Sequence, residues 1–321
     1  MSKAEILMFG PMPPVVQNGL EEKLTLHRLW QMDDKDAFLA ENAHRIRGLA
    51  AGGHGKIDKD VIDRFPNLEI VGSFGVGYDS IDAAYAGKNN VVVTNTPDVL
   101  TDEVADTAMA LTLMTVREFP ATERYLRAGK WLEKPYPLTK GTLAGKTMGI
   151  LGFGRIGKAI AKRAEAFGIK IAYHGRNRQS DVDVPYYATL KELAEAVDIL
   201  MIVVPGGAST HHIVNAEILK ALGPDGFVIN IGRGTAIDEP ALVKALQDGV
   251  IQSAGLDVFE NEPQVPQALI DMDHVVLLPH VGSASVHTRT AMGQLVVDNL
   301  VSWFETGKAI TPVAETPAPT V

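Results

Sequence analysis

The sequence from residue 148 to residue 157, Met-Gly-Ile-Leu-Gly-Phe-Gly-Arg-Ile-Gly, is the stretch that decides the fold. Apolar residues fill its first part, Met148–Leu151, which is typical of a buried strand. Gly152, Gly154 and Gly157 then form the pattern G-x-G-x-x-G, and a helical pattern of apolar residues follows it. A strand, a glycine-rich turn and a helix in this order predict a dinucleotide-binding unit.

Each glycine of the pattern has its own physical role. Gly152 permits a tight turn, Gly154 lets the backbone approach a pyrophosphate, and Gly157 lets the helix pack closely on the strand. The helix N-terminus adds unpaired N–H groups and the positive end of the helix dipole. The predicted cofactor-binding residues of this segment are Gly152, Phe153, Gly154, Arg155, Ile156 and Gly157. In a chain with 30 glycines, a purely structural turn is the alternative.

Composition narrows the classes of protein that the chain can belong to. Its 321 residues favour two domains, and a hydrophobic fraction of 46% is enough for ordinary cores. A net charge of −9 argues against a nucleic-acid surface. The absence of cysteine excludes disulfides, thiolate zinc sites and a cysteine nucleophile, and it fits a reducing compartment. The apolar run before Pro11 is too short for a signal peptide or a membrane span, so we expect a cytoplasmic protein.

The first 100 residues alternate between strand and helix patterns, which predicts a parallel sheet covered on both faces. A helix is predicted from its cap at Asp58 to Arg64. Glycine-rich segments at 52–55 and 75–77 follow strands, where parallel sheets bind ligands, although either segment could be a simple turn. The predicted strands are Ile6–Phe9, Leu26–Trp30, Ile46–Ala51, Ile70–Phe74 and Val91–Thr94.

From residue 148 the strand pattern predicts a second sheet of about six strands, the size of a full dinucleotide-binding fold. Its predicted strands are Met148–Leu151, Ile171–Tyr173, Ile199–Val204, Phe227–Ile231, Ala254–Val258 and Val275–Leu278. Helices are predicted at Leu190–Ala196, Ala216–Ala221 and Glu239–Asp248. A last helix, from Ser285 to about Thr306, is expected to return to the first domain.

The segment between the two sheets has a different character. Thr101 predicts the N-cap of a long helix that continues to about Ala128. An irregular segment containing Trp131 and Tyr136 follows. Because this segment belongs to neither sheet, residues 101–146 are predicted to be a dimerisation arm, with a linker between the domains as the alternative.

The residues after the second strand of this sheet indicate which cofactor is bound. NAD-binding folds carry an acidic residue about twenty positions after the first glycine, where it holds the ribose 2′-hydroxyl. Here the strand is followed by Gly175, Arg176, Asn177 and Arg178, without a carboxylate. A guanidinium complements a 2′-phosphate. The sequence therefore predicts NADP(H) rather than NAD(H), with a solvated basic loop as the alternative.

Three polar residues follow late strands of the same sheet. Arg233, Glu262 and His280 provide a cation, a carboxylate and an imidazole at one sheet edge. An arginine can hold a carboxylate and polarise a keto oxygen, and a protonated histidine can donate a proton as hydride arrives at carbon. A neighbouring carboxylate favours the imidazolium and orients its ring. This combination predicts reduction of a 2-oxo acid without a metal. Individually, each residue could instead be an ordinary surface or loop residue.

The order glycine motif, Arg, Glu, His resembles the D-2-hydroxyacid dehydrogenase family over nearly the whole chain. The matching segments are Gly152–Gly157, Asn230–Gly234, Gly255–Pro263 and Leu278–Ser283. Further segments are most similar to the NADPH-preferring glyoxylate, hydroxypyruvate and hydroxyphenylpyruvate reductases of that family: Gly75–Asp79, Asn95–Thr101 and Leu277–Ser283.

The resemblance implies a role for each matching residue on the substrate side. Arg233 binds the substrate, His280 is the acid/base, and Glu262 is its partner. Backbone N–H groups of Val76 and Gly77 would bind the substrate carboxylate.

Other positions acquire roles by the same resemblance. Gly53 and His54 would face the substrate side chain, and Trp131 or Tyr136 could close the pocket of a partner subunit. The cofactor contacts implied beyond the glycine motif are Arg176, Asn177, Arg178, Val204, Pro205, Thr210, Ile231, Arg233, Asp257, His280 and Gly282.

The resemblance also implies the architecture and the activity. Two doubly wound α/β domains are expected: a smaller flavodoxin-like substrate domain from 1–100 and 285–321, and a Rossmann NADP-binding domain at 101–284. The implied protein is a homodimer that uses NADPH to reduce glyoxylate, hydroxypyruvate and, as a bulkier substrate, hydroxyphenylpyruvate. A nucleotide-sensing protein of the same fold and a dehydrogenase for another substrate, such as phosphoglycerate, are the alternatives.

Overall fold

A computed structural model describes residues 3–52 and 55–316 of the chain. The chain divides into two compact units, which we describe separately. Unit 1 combines Met1–Leu100 with Ser285–Val321, and unit 2 is Thr101–Ala284. Within the described ranges, no helix combines the length and the apolar character that crossing a membrane requires.

Unit 1 contains a five-stranded parallel sheet in the order β2-β1-β3-β4-β5. Its strands are β1 (Glu5–Met8), β2 (Thr25–Arg28), β3 (Ile46–Gly52), β4 (Ile70–Phe74) and β5 (Val92–Thr94). Its helices are α1 (Pro14–Lys23), α2 (Lys35–Asn42), α3 (Lys59–Asp63), α4 (Ala83–Lys88) and α12 (Val286–Thr306), with short 3-10 turns at Leu29–Gln31 and Ala43–Arg45.

Apolar clusters cover both faces of this sheet. One cluster lies where α12 packs beside α1, and it includes Val296 and Leu300 with Ile6 and Ile70 of the sheet. The second cluster, on the α2–α4 side, includes Leu49 and other residues. Helix α12 therefore packs on the sheet of unit 1.

Unit 2 contains a six-stranded parallel sheet in the order β11-β10-β9-β8-β6-β7. Its strands are β6 (Thr147–Leu151), β7 (Lys170–His174), β8 (Ile199–Ile202), β9 (Phe227–Asn230), β10 (Ser253–Leu256) and β11 (Val276–Leu277). The chain goes from β6 outward to β7 and then crosses to β8 on the other side of β6. Ligands of such sheets bind at the carboxyl ends of the strands where the winding reverses, which here is between β6 and β8.

The helices of unit 2 cover the two faces of its sheet. They are α5 (Thr101–Val116), α6 (Phe119–Arg127), α7 (Arg155–Ala166), α8 (Leu190–Ala196), α9 (Ala216–Leu222), α10 (Glu239–Gln247) and α11 (Gln267–Ile270), with 3-10 turns at Lys130–Leu132 and Gly234–Ala236. A large apolar cluster joins α8, α9 and α10 to the strands. The predicted fold class, two doubly wound parallel-sheet domains, is confirmed.

The single long helix predicted from Thr101 to about Ala128 is wrong. The structure contains two helices, because Glu118 adopts a left-handed backbone conformation (φ 54°) between them. Pro120 then occupies the first turn of α6, where its missing N–H costs nothing. Thr101 is also the first residue of α5 rather than a residue before it.

Candidate active site

The glycine motif of unit 2 has the geometry of a phosphate cradle. Gly152 follows β6 with φ +97°, a left-handed conformation that glycine adopts without strain. A Cβ at Gly157 would lie 2.3 Å from the carbonyl oxygen of Gly152, so α7 can approach the turn only with glycine there. A Cβ at Gly154 would meet nothing within 4 Å. The N-terminus of α7 therefore faces open space, as a bound pyrophosphate requires.

The side chain of Phe153 has a packing role within this motif. It is buried and stacks on Tyr173, with ring centroids 4.6 Å apart. Its carbonyl oxygen accepts a hydrogen bond of 2.7 Å from Nε2 of Gln179, and the backbone N–H of Gln179 donates to the hydroxyl of Tyr173 at 2.8 Å. Gln179, which sequence reasoning missed, thus ties the loop after β7 to the glycine motif. Arg155 is exposed at the start of α7, and Ile156 is half-buried.

The predicted 2′-phosphate loop follows β7 directly. Arg176, Asn177 and Arg178 are all exposed there. Across the described ranges, neither arginine forms an ion pair with a carboxylate of the chain. Two accessible guanidinium groups beside the glycine motif fit a phosphate dianion better than they fit a ribose hydroxyl.

The other predicted cofactor contacts lie at the ends of β8 and β9. Val204 and Pro205 follow β8, and the hydroxyl of Thr210 donates to the carbonyl of Pro205 at 2.6 Å. Ile231 follows β9 and is buried. A Cβ at Gly152 would lie 3.0 Å from a methyl of Val204, which brings the β8 end to the glycine motif.

Arg233 is held by the last residue of β9. The side chain of Asn230 is fully buried, and its oxygen accepts the N–H of Gly232 at 3.0 Å. Its amide nitrogen donates to the carbonyl of Arg233 at 2.9 Å. The guanidinium of Arg233 donates to the carbonyl of Gly232 at 2.9 Å. Asn230, another residue that sequence reasoning missed, therefore fixes the turn that presents Arg233.

Glu262 and His280 form a direct pair. Nδ1 of His280 lies 2.7 Å from Oε2 of Glu262, while Oε1 of Glu262 accepts the N–H of Phe259 at 3.0 Å. Burial opposes ionisation of Glu262, but the hydrogen bonds from His280 and Phe259 and the charges of His280 and Arg233 lower its pKa below the ordinary value. The structure thus pairs Glu262 with His280, and the charge of Arg233 acts on Glu262 in the same direction as that pairing. With Nδ1 committed to Glu262, Nε2 of His280 is the nitrogen available for a substrate.

Asp257 anchors the turn that carries His280. Its carbonyl accepts the N–H of His280 at 2.8 Å, and its carboxylate accepts the N–H groups of Val281 at 2.7 Å and Gly282 at 2.8 Å. These bonds hold His280 in a left-handed conformation, φ 54°. Burial raises the pKa of Asp257, although its two backbone hydrogen bonds and the charge of His280 work against the rise. We predicted Asp257 as a cofactor contact, and the structure adds this positioning role.

In unit 1, Val76 and Gly77 follow the carboxyl end of β4. The carbonyl of Val76 accepts a hydrogen bond of 2.9 Å from the amide of Asn95. The hydroxyl of Tyr78 donates to Glu315 at 3.0 Å. Two side-chain contacts therefore brace this loop. Gly53 and His54, the other predicted substrate contacts, lie outside the described residues.

The predicted arm carries a group of exposed apolar side chains. Trp131 is 65% exposed, and Leu132 and Leu138 are almost fully exposed. Tyr136 is fixed within the arm, since its hydroxyl donates to Glu118 at 3.0 Å and its ring packs edge-on against Tyr125.

Comparison with known proteins shows the family of this chain. The family model for the D-isomer specific 2-hydroxyacid dehydrogenase, NAD binding domain, matches residues 109–282. Glyoxylate/hydroxypyruvate reductase A of Arabidopsis thaliana is 45% identical over 98% of this chain and 100% of its own, and hydroxyphenylpyruvate reductase of Plectranthus scutellarioides is 44% identical over the same shares. A crystal structure of an NADPH-dependent glyoxylate/hydroxypyruvate reductase from Sinorhizobium meliloti, in complex with NADP and malonate, is 51% identical. It superposes with a TM-score of 0.94 over 100% of this chain and 99% of that one.

Proposed function

Because this chain belongs to the D-isomer-specific 2-hydroxyacid dehydrogenase family, we propose that it uses NADPH to reduce small 2-oxo acids to D-2-hydroxy acids. Glyoxylate and hydroxypyruvate are the proposed substrates, with hydroxyphenylpyruvate as a bulkier one. The observation that carries the proposal is the 2.7 Å contact between Nδ1 of His280 and Oε2 of Glu262, which leaves Nε2 of the ring for the substrate. The proposed location is the cytoplasm.

The proposed chemistry assigns one task to each polar side chain. Bound NADPH supplies hydride to the 2-carbon of the oxo acid. Nε2 of protonated His280 donates the proton that the oxygen needs as the carbonyl becomes an alcohol. Glu262 holds the opposite nitrogen of the ring at 2.7 Å and so fixes the orientation of the imidazole. Arg233 binds the substrate carboxylate and stabilises the negative charge that develops on the oxygen. The loop at Val76 and Gly77 is proposed to bind a substrate carboxylate through its backbone N–H groups.

Initial rates of NADPH and NADH oxidation test the proposal directly. The substrates are glyoxylate, hydroxypyruvate, pyruvate, phenylpyruvate and hydroxyphenylpyruvate. We expect turnover with the first two and a clear preference for NADPH. Tight NADPH binding without turnover of any of these acids would contradict the proposal and favour a nucleotide sensor or a dehydrogenase for another substrate.

The cofactor preference has its own test. Replacing Arg176 and Arg178 together by alanine should raise the KM for NADPH by about 10- to 100-fold, since charge-assisted hydrogen bonds to the 2′-phosphate are lost. The KM for NADH should change by no more than about threefold. Lys162→Ala removes another exposed cation of unit 2 and serves as the control. Equal weakening of both cofactors would show that the loop does not read the 2′-phosphate.

We further propose that the chain forms a homodimer through the arm. Exposed apolar side chains are concentrated there, and such patches mark protein contacts. The charged variant Leu132→Asp should shift the mass measured by light scattering from dimer towards monomer. A variant that keeps the dimer mass would place the interface elsewhere.

A further inference from the structure

Unit 2 contains a second cluster of side chains that the proposed chemistry does not use. It consists of His211, His212 and Glu260, whose ligand-type atoms all lie within 4.8 Å of one another. Nε2 of His212 is 2.8 Å from Oε1 of Glu260, and the rings of the two histidines stack with centroids 3.9 Å apart. From the sequence we expected no metal, because the histidines, His211, His212 and His287 among them, show no ligand spacing. In the structure His212 pairs with Glu260, which is 48 positions away.

The fold holds the backbone of two of the three residues in place. The backbone N–H of His212 donates to the carbonyl of Thr235 at 2.8 Å, and that of Glu260 donates to the carboxylate of Glu239 at 3.0 Å. His212 and Glu260 are half-buried, whereas His211 is exposed and stacks on His212. The cluster is thus a half-buried pair with an exposed third member.

The surroundings of the cluster favour a cation. Glu239 is only 7% exposed, and its carboxylate accepts the backbone N–H of Glu260 at 3.0 Å. Both carboxylates line a groove of about 450 Å³. Lys244 also lines the groove, but its ammonium is 2.7 Å from Asp248. Two carboxylates are therefore close together, and the groove's lysine already has an acidic partner.

We propose that His211, His212 and Glu260 form a binding site for a divalent transition-metal ion such as Zn²⁺. Two imidazoles and one carboxylate are a donor set that suits zinc, cobalt and nickel, and water can complete four-coordination. Metal–ligand bonds of about 2.0–2.2 Å place neighbouring ligand atoms about 3.3 Å apart. The His212–Glu260 contact has to open by only a few tenths of an ångström, and rotation of His211 completes the set.

An ion at this position would join two segments of unit 2. His211 and His212 belong to the segment after β8, and Glu260 belongs to the segment after β10. The inference rests only on these side chains and does not depend on the proposed reductase activity.

Calorimetric titration of Zn²⁺ into the tag-free, chelator-treated full chain tests the site. With no cysteine in the sequence, thiolate binding cannot contribute to the signal. We expect one ion per chain. His211→Ala and Glu260→Gln should each weaken binding at least tenfold, because even the loss of an outer-shell partner costs about 10- to 100-fold in affinity. His287→Ala, which removes another exposed histidine, should bind as the unchanged chain does.

A second measurement separates loss of the site from loss of the fold. Zn²⁺ should raise the Tm of the unchanged chain and of His287→Ala, but not that of His211→Ala, because a ligand that binds only the folded state stabilises it. Because His211 is exposed, its variant should retain the metal-free Tm. Absence of zinc binding by the unchanged chain, or equal affinity in His211→Ala and Glu260→Gln, would overturn the proposal.

Discussion

Unit 2 contains two histidine–glutamate pairs that are almost the same in local geometry. His280 is 2.7 Å from Glu262, and His212 is 2.8 Å from Glu260. Both histidines adopt a left-handed backbone conformation, with φ values of 54° and 51°. The two glutamates are separated by a single residue of the chain.

The pairs differ in the nitrogen that they use and in their neighbours. His280 uses Nδ1 and leaves Nε2 available, whereas His212 uses Nε2 and stacks on His211. The charge of Arg233 acts on Glu262 and lowers its pKa. Beside Glu260 there is instead another carboxylate, Glu239. A histidine–carboxylate pair therefore does not define an acid/base site by itself. We expect the available ring nitrogen and the sign of the neighbouring charge to decide which pair acts as an acid/base.

The largest expected effect compares the two histidines in catalysis. His280→Gln should lower kcat for glyoxylate by about 10²- to 10⁴-fold, the usual contribution of a positioned proton donor. His212→Gln should lower it by less than tenfold, because no proton transfer is assigned to that ring. NADPH binding, measured by fluorescence titration, should survive in both variants. Similar losses of kcat in the two variants would remove the distinction between the pairs.

A second substitution should break both pairs together. Gly234 lies against the segment that carries the two glutamates, and a Cβ there would come within 1.9 Å of the carbonyl carbon of Phe259. Backbone has to move, so Gly234→Ala should lower the free energy of unfolding by about 3 kcal/mol. Urea unfolding measures the loss.

Gly154→Ala is the control for this change, because a Cβ there meets nothing within 4 Å. Its stability should stay within about 1 kcal/mol of the unchanged chain, since its φ of −83° suits alanine. Equal stability of the two variants would contradict the close approach at Gly234.

The sequence predicted regular elements well where the signal was local. Ile70–Phe74 and Leu190–Ala196 were predicted with the bounds that the structure shows. Such segments can be recognised from the local sequence, because apolar periodicity and capping residues are properties of neighbouring positions. The prediction of one long helix failed at Glu118, where a single residue in a left-handed conformation interrupts a helical sequence pattern that otherwise continues.

Most contacts between residues far apart in the chain could not be predicted from the sequence. Arg233, Glu262 and His280 are the exception, because each follows a strand of one parallel sheet and topology brings strand ends together. Asn230 and Gln179 were missed, because an amide that binds backbone leaves no pattern in the chain. The His212–Glu260 pair was missed because its two residues are 48 positions apart.

A smaller expected effect distinguishes the two pairs by the way in which folding stability depends on pH. Because the pKa of Glu262 is lowered from its ordinary value of 4.5, its pairing stabilises the fold above that pH, and the stabilisation is lost as the pH falls through the folded-state pKa. Glu262→Gln should therefore be less stable than the unchanged chain at pH 7, by about 1 kcal/mol once solvent screening of the exposed His280 is allowed for. The gap should close in strong acid, and a gap independent of pH would contradict the assignment.

The smallest expected effect concerns Glu239, whose contribution to stability changes with pH in the opposite direction to that of Glu262. Burial and the charge of Glu260 raise the pKa of Glu239, so the folded chain holds this proton more firmly than the unfolded chain does. Stability from this group is complete below pH 4.5 and is lost as the pH rises through the folded-state pKa. Glu239→Gln keeps an oxygen that can accept the N–H of Glu260 and removes the buried charge. Urea unfolding should show the variant equal to the unchanged chain in acid and more stable at pH 8. A variant that is less stable at pH 8 would mean that a cation stabilises the carboxylate of Glu239, as the charge of Arg233 stabilises that of Glu262. The contrast between the two pairs would then fail.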